Sequence, residues 1–195
     1  MADAIEGTDI VAMHENIVKK LSDQFKDDFK LIEFYRSEND RTPLKKENLP
    51  ALLLEVPDFE LNLEEDAGTE QLPMLARIEA RVVIDAMEKE QDNPTFAKLK
   101  VRALALKLAQ YLFKNKHFHE LKTGPLTLLD VTEDAFYPGL DRYDVWRVDF
   151  SIPIHIGESI WKSEGVTPTA WFSWAPEIGS AHSSAHSSAY QEILP

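Results

Sequence analysis

The stretch Leu75 to Met87 reads LARIEARVVIDAM, and its alternation decides the fold. Ala76, Ile78, Ala80, Val82, Ile84 and Ala86 fall on one phase; Leu75, Arg77, Glu79, Arg81, Val83, Asp85 and Met87 fall on the other. A period of two belongs to a β-strand, because successive side chains point to opposite faces of the sheet. One face here is apolar and the other largely charged over thirteen residues, against about five or six in a usual strand. A long two-faced strand with no catalytic cluster around it points to assembly rather than chemistry.

Downstream, the spacing predicts a helix over Pro94 to Lys116, with Asn93 as its N-cap and Pro94 at its first position. Ala97, Val101, Leu104, Leu108, Tyr111 and Leu112 form a core-facing stripe. Lys100, Lys107 and Lys114 recur at intervals of seven on another face, and Leu99, Leu106 and Phe113 make a further apolar row. Two apolar rows exceed what a helix lying on one sheet face needs. Either another helix of the chain covers the second row or another subunit does.

A second long strand is expected at Val145 to Ile156. Trp146, Val148, Phe150, Ile152, Ile154 and Ile156 share one face; Val145, Arg147, Asp149, Ser151, Pro153 and His155 share the other. Proline cannot donate to a ladder, so Pro153 belongs at an edge, a bulge or a place where pairing ends. Leu126 to Phe136 is its antiparallel partner through the Pro138-Gly139 turn. Trp171 to Trp174 is a last aromatic strand.

Upstream, Thr8 or Asp9 caps a helix carrying Ile10, Met13, Ile17, Leu21 and Phe25. Phe29 to Tyr35 reads as a short strand and Ser37 to Asn48 as a loop. Leu52, Leu54 and Val56 occupy one strand phase and Phe59, Leu61 and Leu63 the other, so a bulge, a bend or a break is expected at Pro57. Glu64 to Leu72 is an acidic loop. This order predicts an α+β fold: a mainly antiparallel sheet of about four to six strands with two main helices on one face. A single domain is expected over residues 1–178. Residues 179–195, which include GSAHSSAHSSAY, have little to bury and are expected to form a mobile tail.

The chain holds 195 residues with 44% hydrophobic content and no cysteine. Disulfides, thiolate metal sites and cysteine nucleophiles are therefore excluded. No apolar run is long enough for a membrane helix, and the acidic start MADAIEGTDI reads as neither a secretory signal nor a transit peptide. Net charge is −13, which argues against a general nucleic-acid-binding domain. Its distribution is uneven: residues 1–90 carry 11 basic and 22 acidic side chains, residues 91–124 carry 7 and 2, and the remainder carries 3 and 10. One basic helix thus sits in an acidic chain, a candidate surface for self-association or for an acidic partner. For any one lysine, a solvated helix face is the simpler reading.

Chemical motifs are absent or weak. His182 and His186 stand four apart, a zinc-compatible spacing, but in serine-rich surroundings. His117 and His119 flank Phe118 without a third ligand, and His155 reads as a surface or interface residue. No carboxylate is paired with histidine or serine in a recognisable catalytic motif, and Walker, dinucleotide-binding and HExxH patterns are missing. Arg77 and Arg81 with Glu79, Asp85 and Asp149 read as cross-strand ion pairs. Neither enzymatic activity nor a cofactor or metal is expected. The leading rival of a different class is a small-ligand or metal-dependent enzyme with a histidine-carboxylate pocket.

The segments LPMLARIEARVVIDAMEKE, RALALKLAQYL, DRYDVWRVDFSIPIHIG and WFSWAPEIG together resemble the tail terminator proteins of long-tailed bacteriophages, most closely those of Mu-like contractile-tailed phages. The resemblance spans Leu49 to Gly179 as a pattern of elements and does not extend to the AHSSAHSSAY tail. It implies a virion structural protein, assembled in the host cytoplasm. Its place would be a hexameric ring at the head-proximal end of the tail. Such a ring stops polymerisation of tube and sheath and joins the tail to the neck or connector, with DNA only passing through its lumen and no membrane involved. Another phage neck, connector or baseplate subunit is the alternative. On this reading Lys100, Lys107, Lys114, Arg77, Glu79, Arg81, Asp85, Pro153 and His155 are candidate intersubunit or partner-facing residues, with the lysine stripe meeting protein rather than DNA. Charge reversal of the three lysines is then expected to impair assembly.

Overall fold

The structure, a computed structural model, describes residues 3–34, 44–87, 95–118, 121–134, 143–163, 170–173 and 190–193. The chain divides into two units, Ile5–Ile160 and a smaller one made of residues 1–4 and 161–195. In chain order the elements are β1 (Asp3–Glu6), α1 (Ile10–Phe25), β2 (Leu31–Phe34), β3 (Ala51–Leu61), β4 (Leu72–Asp85), α2 (Phe96–Lys114), β5 (Thr127–Glu133), β6 (Tyr143–Ile156), β7 (Glu158–Ser163), β8 (Ala170–Ser173) and β9 (Tyr190–Ile193).

A five-stranded sheet in the order β2-β3-β4-β6-β5 forms the larger unit. Only β2 and β3 run parallel; every other pair in this sheet is antiparallel. The chain is therefore α+β with a mainly antiparallel sheet. Strand β4 lies at the centre of it, its apolar phase opposed by that of β6: Ala76 faces Ile152, Ile78 faces Phe150 and Ala80 faces Val148. Those residues, with Leu52 and Leu54 of β3, pack against Met13, Ile17, Leu21 and Phe25 of α1 and Val101, Leu108 and Leu112 of α2 in one core. Phe25 meets Tyr111 of α2 edge-on, with ring centroids 5.3 Å apart. Both helices thus cover the same face.

Local chemistry accounts for the element ends. Asp9 is the N-cap of α1, its carboxylate accepting the Val11 and Ala12 amides at 2.8 and 3.2 Å. Thr8 plays a different part: its amide donates to the His155 carbonyl at 2.7 Å and its hydroxyl to the Lys122 carbonyl at 2.5 Å, fixing the start of α1 to β6. The expected N-cap and first residue of α2, Asn93 and Pro94, lie outside the described residues, as do the Pro138-Gly139 turn, Tyr35, His119 and the His182/His186 pair.

The phase slip at Pro57 is a β-bulge. Glu55 opposes Glu79 and Asp58 opposes Arg77, so Val56 and Pro57 together face Ile78. Pro153 sits where pairing ends. In a strand, a residue's amide and carbonyl point to the same neighbour. The Pro153 carbonyl accepts from Gly124, on the side where the regular β5 ladder has stopped at Ser151, so β4 loses no donor.

The larger unit ends at Ile160, and in the smaller one Tyr190–Ile193 pairs with Ala170–Ser173 as β9 against β8. Tyr190, Gln191, Glu192 and Ile193 follow the Ala-His-Ser-Ser repeat and carry enough β-forming side chains to complete a ladder that the low-complexity repeat conceals.

Candidate functional site

The sheet face turned away from the helices carries a charge lattice. Glu55, Glu79, Asp149 and Asp130 stand directly opposite one another across β3, β4, β6 and β5. Like charges so placed repel. They are held by arginines one step along the strands, where Arg81 opposes Arg147. Arg81 is 8% exposed and its guanidinium is fully engaged: Nε donates to Asp134 and Nη1 to Glu55, both at 2.8 Å, and Nη2 to Glu79. Arg147 Nε lies 2.8 Å from Asp149 Oδ1, close as an ion pair but not aligned as a hydrogen bond. On the other side of the carboxylate row, Arg77 pairs with Glu60 at 2.9 Å and with Asp58 at 4.0 Å.

Titration follows this geometry. Burial works against the Arg81 charge, but the Asp134 hydrogen bond and the fields of Glu79, Asp134 and Glu55 outweigh it and raise its pKa. Burial above all, then Glu79 and Asp130, lifts the Asp149 carboxyl above its ordinary value against the pull of Arg147. Asp85 is lowered chiefly by the Met87 amide and then by Lys46, whose ammonium lies 3.1 Å away. Among the described residues, three arginines stand among seven carboxylates (Glu55, Asp58, Glu60, Glu79, Asp130, Asp134 and Asp149), leaving this face acidic.

The second surface is the outer face of α2. Leu99, Leu106 and Phe113 are 55%, 59% and 63% exposed. On a helix of 3.6 residues per turn they lie nearly opposite the buried Val101, Leu108 and Leu112. Of the two coverings open to this row, α1 is not the one. The lysine stripe flanks it unevenly: Lys107 is held by Asp28 at 2.6 and 2.8 Å, Lys100 lies 5.7 Å from the Phe96 ring centre, and Lys114 is exposed.

The nine expected surface residues therefore separate. Arg77 and Lys114 are exposed, and Glu79 and Asp85 are half-buried on the helix-free face. Arg81 is sunk among its own carboxylates. Pro153 is buried against Gly124, so it offers no surface; a strand paired on one side and covered by the Gly124 loop on the other leaves it no solvent. His155 is half-buried, its Nε2 3.1 Å from the Glu65 carbonyl. Glu55, Glu60 and Asp134 were not foreseen as lattice members, because they reach Arg77 and Arg81 only through the register of β3 and the segment after β5.

Candidate chemistry is sparse among the described residues. No three His, Asp or Glu side chains gather as a metal site. His14 Nδ1 lies 2.6 Å from the Ile10 carbonyl within its own helix, and its ring packs on Phe34. A depression of about 310 Å³ between α1 and α2 is lined by Lys19, Lys20, Asp23, Gln24 and Tyr111, without a nucleophile-base pair. No described helix is long and apolar enough to cross a membrane.

No family model matches this chain, and no curated protein matches it in sequence.

Proposed function

We propose that the chain is a virion assembly subunit, a tail terminator that closes into a ring at the head-proximal end of a bacteriophage tail. There it stops tube and sheath polymerisation and meets the neck or connector. The observation that carries the reading is the row Leu99, Leu106 and Phe113, left open on the outer face of a helix whose other face is already in the core. Three large apolar side chains at intervals of seven line one face of the helix, and exposed apolar faces on subunits mark contacts. The resemblance of the segments from Leu49 to Gly179 to tail terminators gives the contact its setting.

The acidic lattice suits the remaining surface. A lumen that passes DNA without holding it should present net negative charge, since a basic wall would trap phosphate. On the helix-free face every described arginine contacts carboxylates of its own chain, and the described carboxylates outnumber the arginines. We assign this face to the lumen or to an intersubunit surface and the outer face of α2 to protein.

Native mass spectrometry tests the assembly step: a discrete ring, expected as a hexamer, supports it, and a monomer at every concentration overturns it. Negative-stain microscopy of virions made without this chain tests the position. Overlong tails support termination, whereas tails of normal length that lack heads assign it to the neck.

A further inference from the structure

Among the described residues of the larger unit, two places combine exposed apolar side chains with an excess of one sign of charge, and the signs are opposite; on the first, Asp28 offsets Lys107. The first is the outer face of α2. Residues 96–118 carry six cations, Lys98, Lys100, Arg102, Lys107, Lys114 and Lys116, and no carboxylate. They flank the Leu99, Leu106 and Phe113 row on both sides of the helix. The second is the far end of the β3–β4 hairpin. The register puts Phe59 beside Ala76 and Leu61 beside Met74, on the face that the helices cover farther along. Burial is complete at Ala76 and has failed by Leu72, so Phe59, Leu61 and Leu72 stand 40%, 56% and 49% exposed.

Residues 58–76 carry six carboxylates and no basic side chain. Asp58 and Glu60 turn to the other face and hold Arg77. Glu64, Glu65, Asp66 and Glu70 are the exposed carboxylates of the tip. Asp66 accepts the Gly68 amide at 2.8 Å, and Gly68 takes a φ of +64°, which shapes the turn that presents them.

Three occupants could cover the α2 face, and charge separates them. A second copy of α2 would set one cationic surface against another, with Lys107 on each offset by Asp28. Nucleic acid would meet its phosphates with lysine but would leave an apolar strip along the middle of the contact. The hairpin end of another copy brings apolar side chains to the strip and carboxylates to its rim, the arrangement of a protein interface with an apolar centre and complementary charges around it. Two different patches that meet head to tail are also what a closed ring requires.

We propose that the β3–β4 hairpin end of one copy seats on the outer face of α2 of the next. Phe59, Leu61 and Leu72 lie against Leu99, Leu106 and Phe113, and the tip carboxylates face Lys98, Lys114 and Lys116. This contact rests on the self-assembly in the reading above and specifies its two halves.

The test uses two full-length variants. One carries Glu64→Lys, Glu65→Lys and Glu70→Lys; the other carries Lys98→Glu, Lys114→Glu and Lys116→Glu. Analytical ultracentrifugation at low salt, with circular dichroism to confirm folding, should find each variant associating about a hundredfold more weakly than wild type. Mixing the two should restore assembly, because each hairpin then meets a helix of opposite sign. If either reversal unfolds the chain, the matching Glu→Gln or Lys→Gln triple should show the same loss to a smaller degree. A wild type that assembles while both variants match it overturns this contact and leaves the assembly reading standing. Folded variants whose mixture stays dissociated also overturn it, as does a reversal of the α2 charges that abolishes DNA binding but not assembly. A wild type that is monomeric throughout overturns both readings together.

Discussion

Replacing Arg81 by Met should destabilise the larger unit by about 3 kcal/mol. The estimate is built from three described partners of the guanidinium. Asp134 has a side chain only 8% exposed, and its charge-assisted bond to Nε is 2.8 Å long; losing such a bond inside the protein costs about 1.5–3 kcal/mol. Glu79 keeps a distant contact with Arg147 at 3.5 Å but then faces Glu55 and Asp149 without its nearest cation; like charges directly opposed cost up to about 1 kcal/mol. Glu55 is 41% exposed, and water screens most of its loss. For a chain of this size about 3 kcal/mol corresponds to a fall in melting temperature of roughly 6–12 °C. Thermal unfolding followed by circular dichroism reads it directly. The double variant Arg81→Met with Asp134→Asn should recover about 1–2 kcal/mol, because the stranded carboxylate goes with its cation. A single variant that melts within about 2 °C of wild type would refute the lattice as a stabilising element. So would a double variant no more stable than Arg81→Met.

Other consequences are as specific. Asp9→Ala removes the acceptor for the Val11 and Ala12 amides and should cost about 1 kcal/mol in urea unfolding, whereas Asp9→Asn should cost much less. Gly7→Ala would drive a Cβ into the carbonyl oxygens of His155 and Gly157, backbone atoms that cannot swing aside, so it should destabilise by about 2 kcal/mol or more. For Asp85 the folded-state pKa is lowered, so its stabilisation is present above the ordinary aspartate value of about 3.9 and is lost as pH falls through the lower folded value. The melting difference between wild type and Asp85→Asn should therefore be constant from pH 7 to about 5 and shrink toward pH 3; a difference that grows on acidification would contradict the sign.

Much of the fold was legible in the sequence, for identifiable reasons. Ala76 to Ile84 and Trp146 to Ile156 keep an unbroken period of two, and one inward phase can be satisfied only by a sheet covered on that side. Met13, Ile17, Leu21 and Phe25 hold helical spacing behind an N-cap, and all four are buried. Pro57 and the change of phase around it announced the bulge. The two rows of α2 announced a helix with more apolar surface than one core could use. What the sequence did not show involved burial or distant partners: Pro153 is buried once the Gly124 loop arrives, and β9 follows a repeat that has no strand signal of its own.

The sequence by itself determined the inward phase of β4, β6 and α1 and the start of α1, because periodicity and capping act over a few residues at a time. Only the tertiary structure decided the rest. It ordered the strands β2-β3-β4-β6-β5, aligned four carboxylates across the sheet and sank Arg81 among them. It also left Leu99, Leu106 and Phe113 outside the core, and carried Phe59, Leu61 and Leu72 past the helices' cover. Each of those outcomes depends on the register between segments tens of residues apart, and register is fixed by how all the inward faces fit together at once.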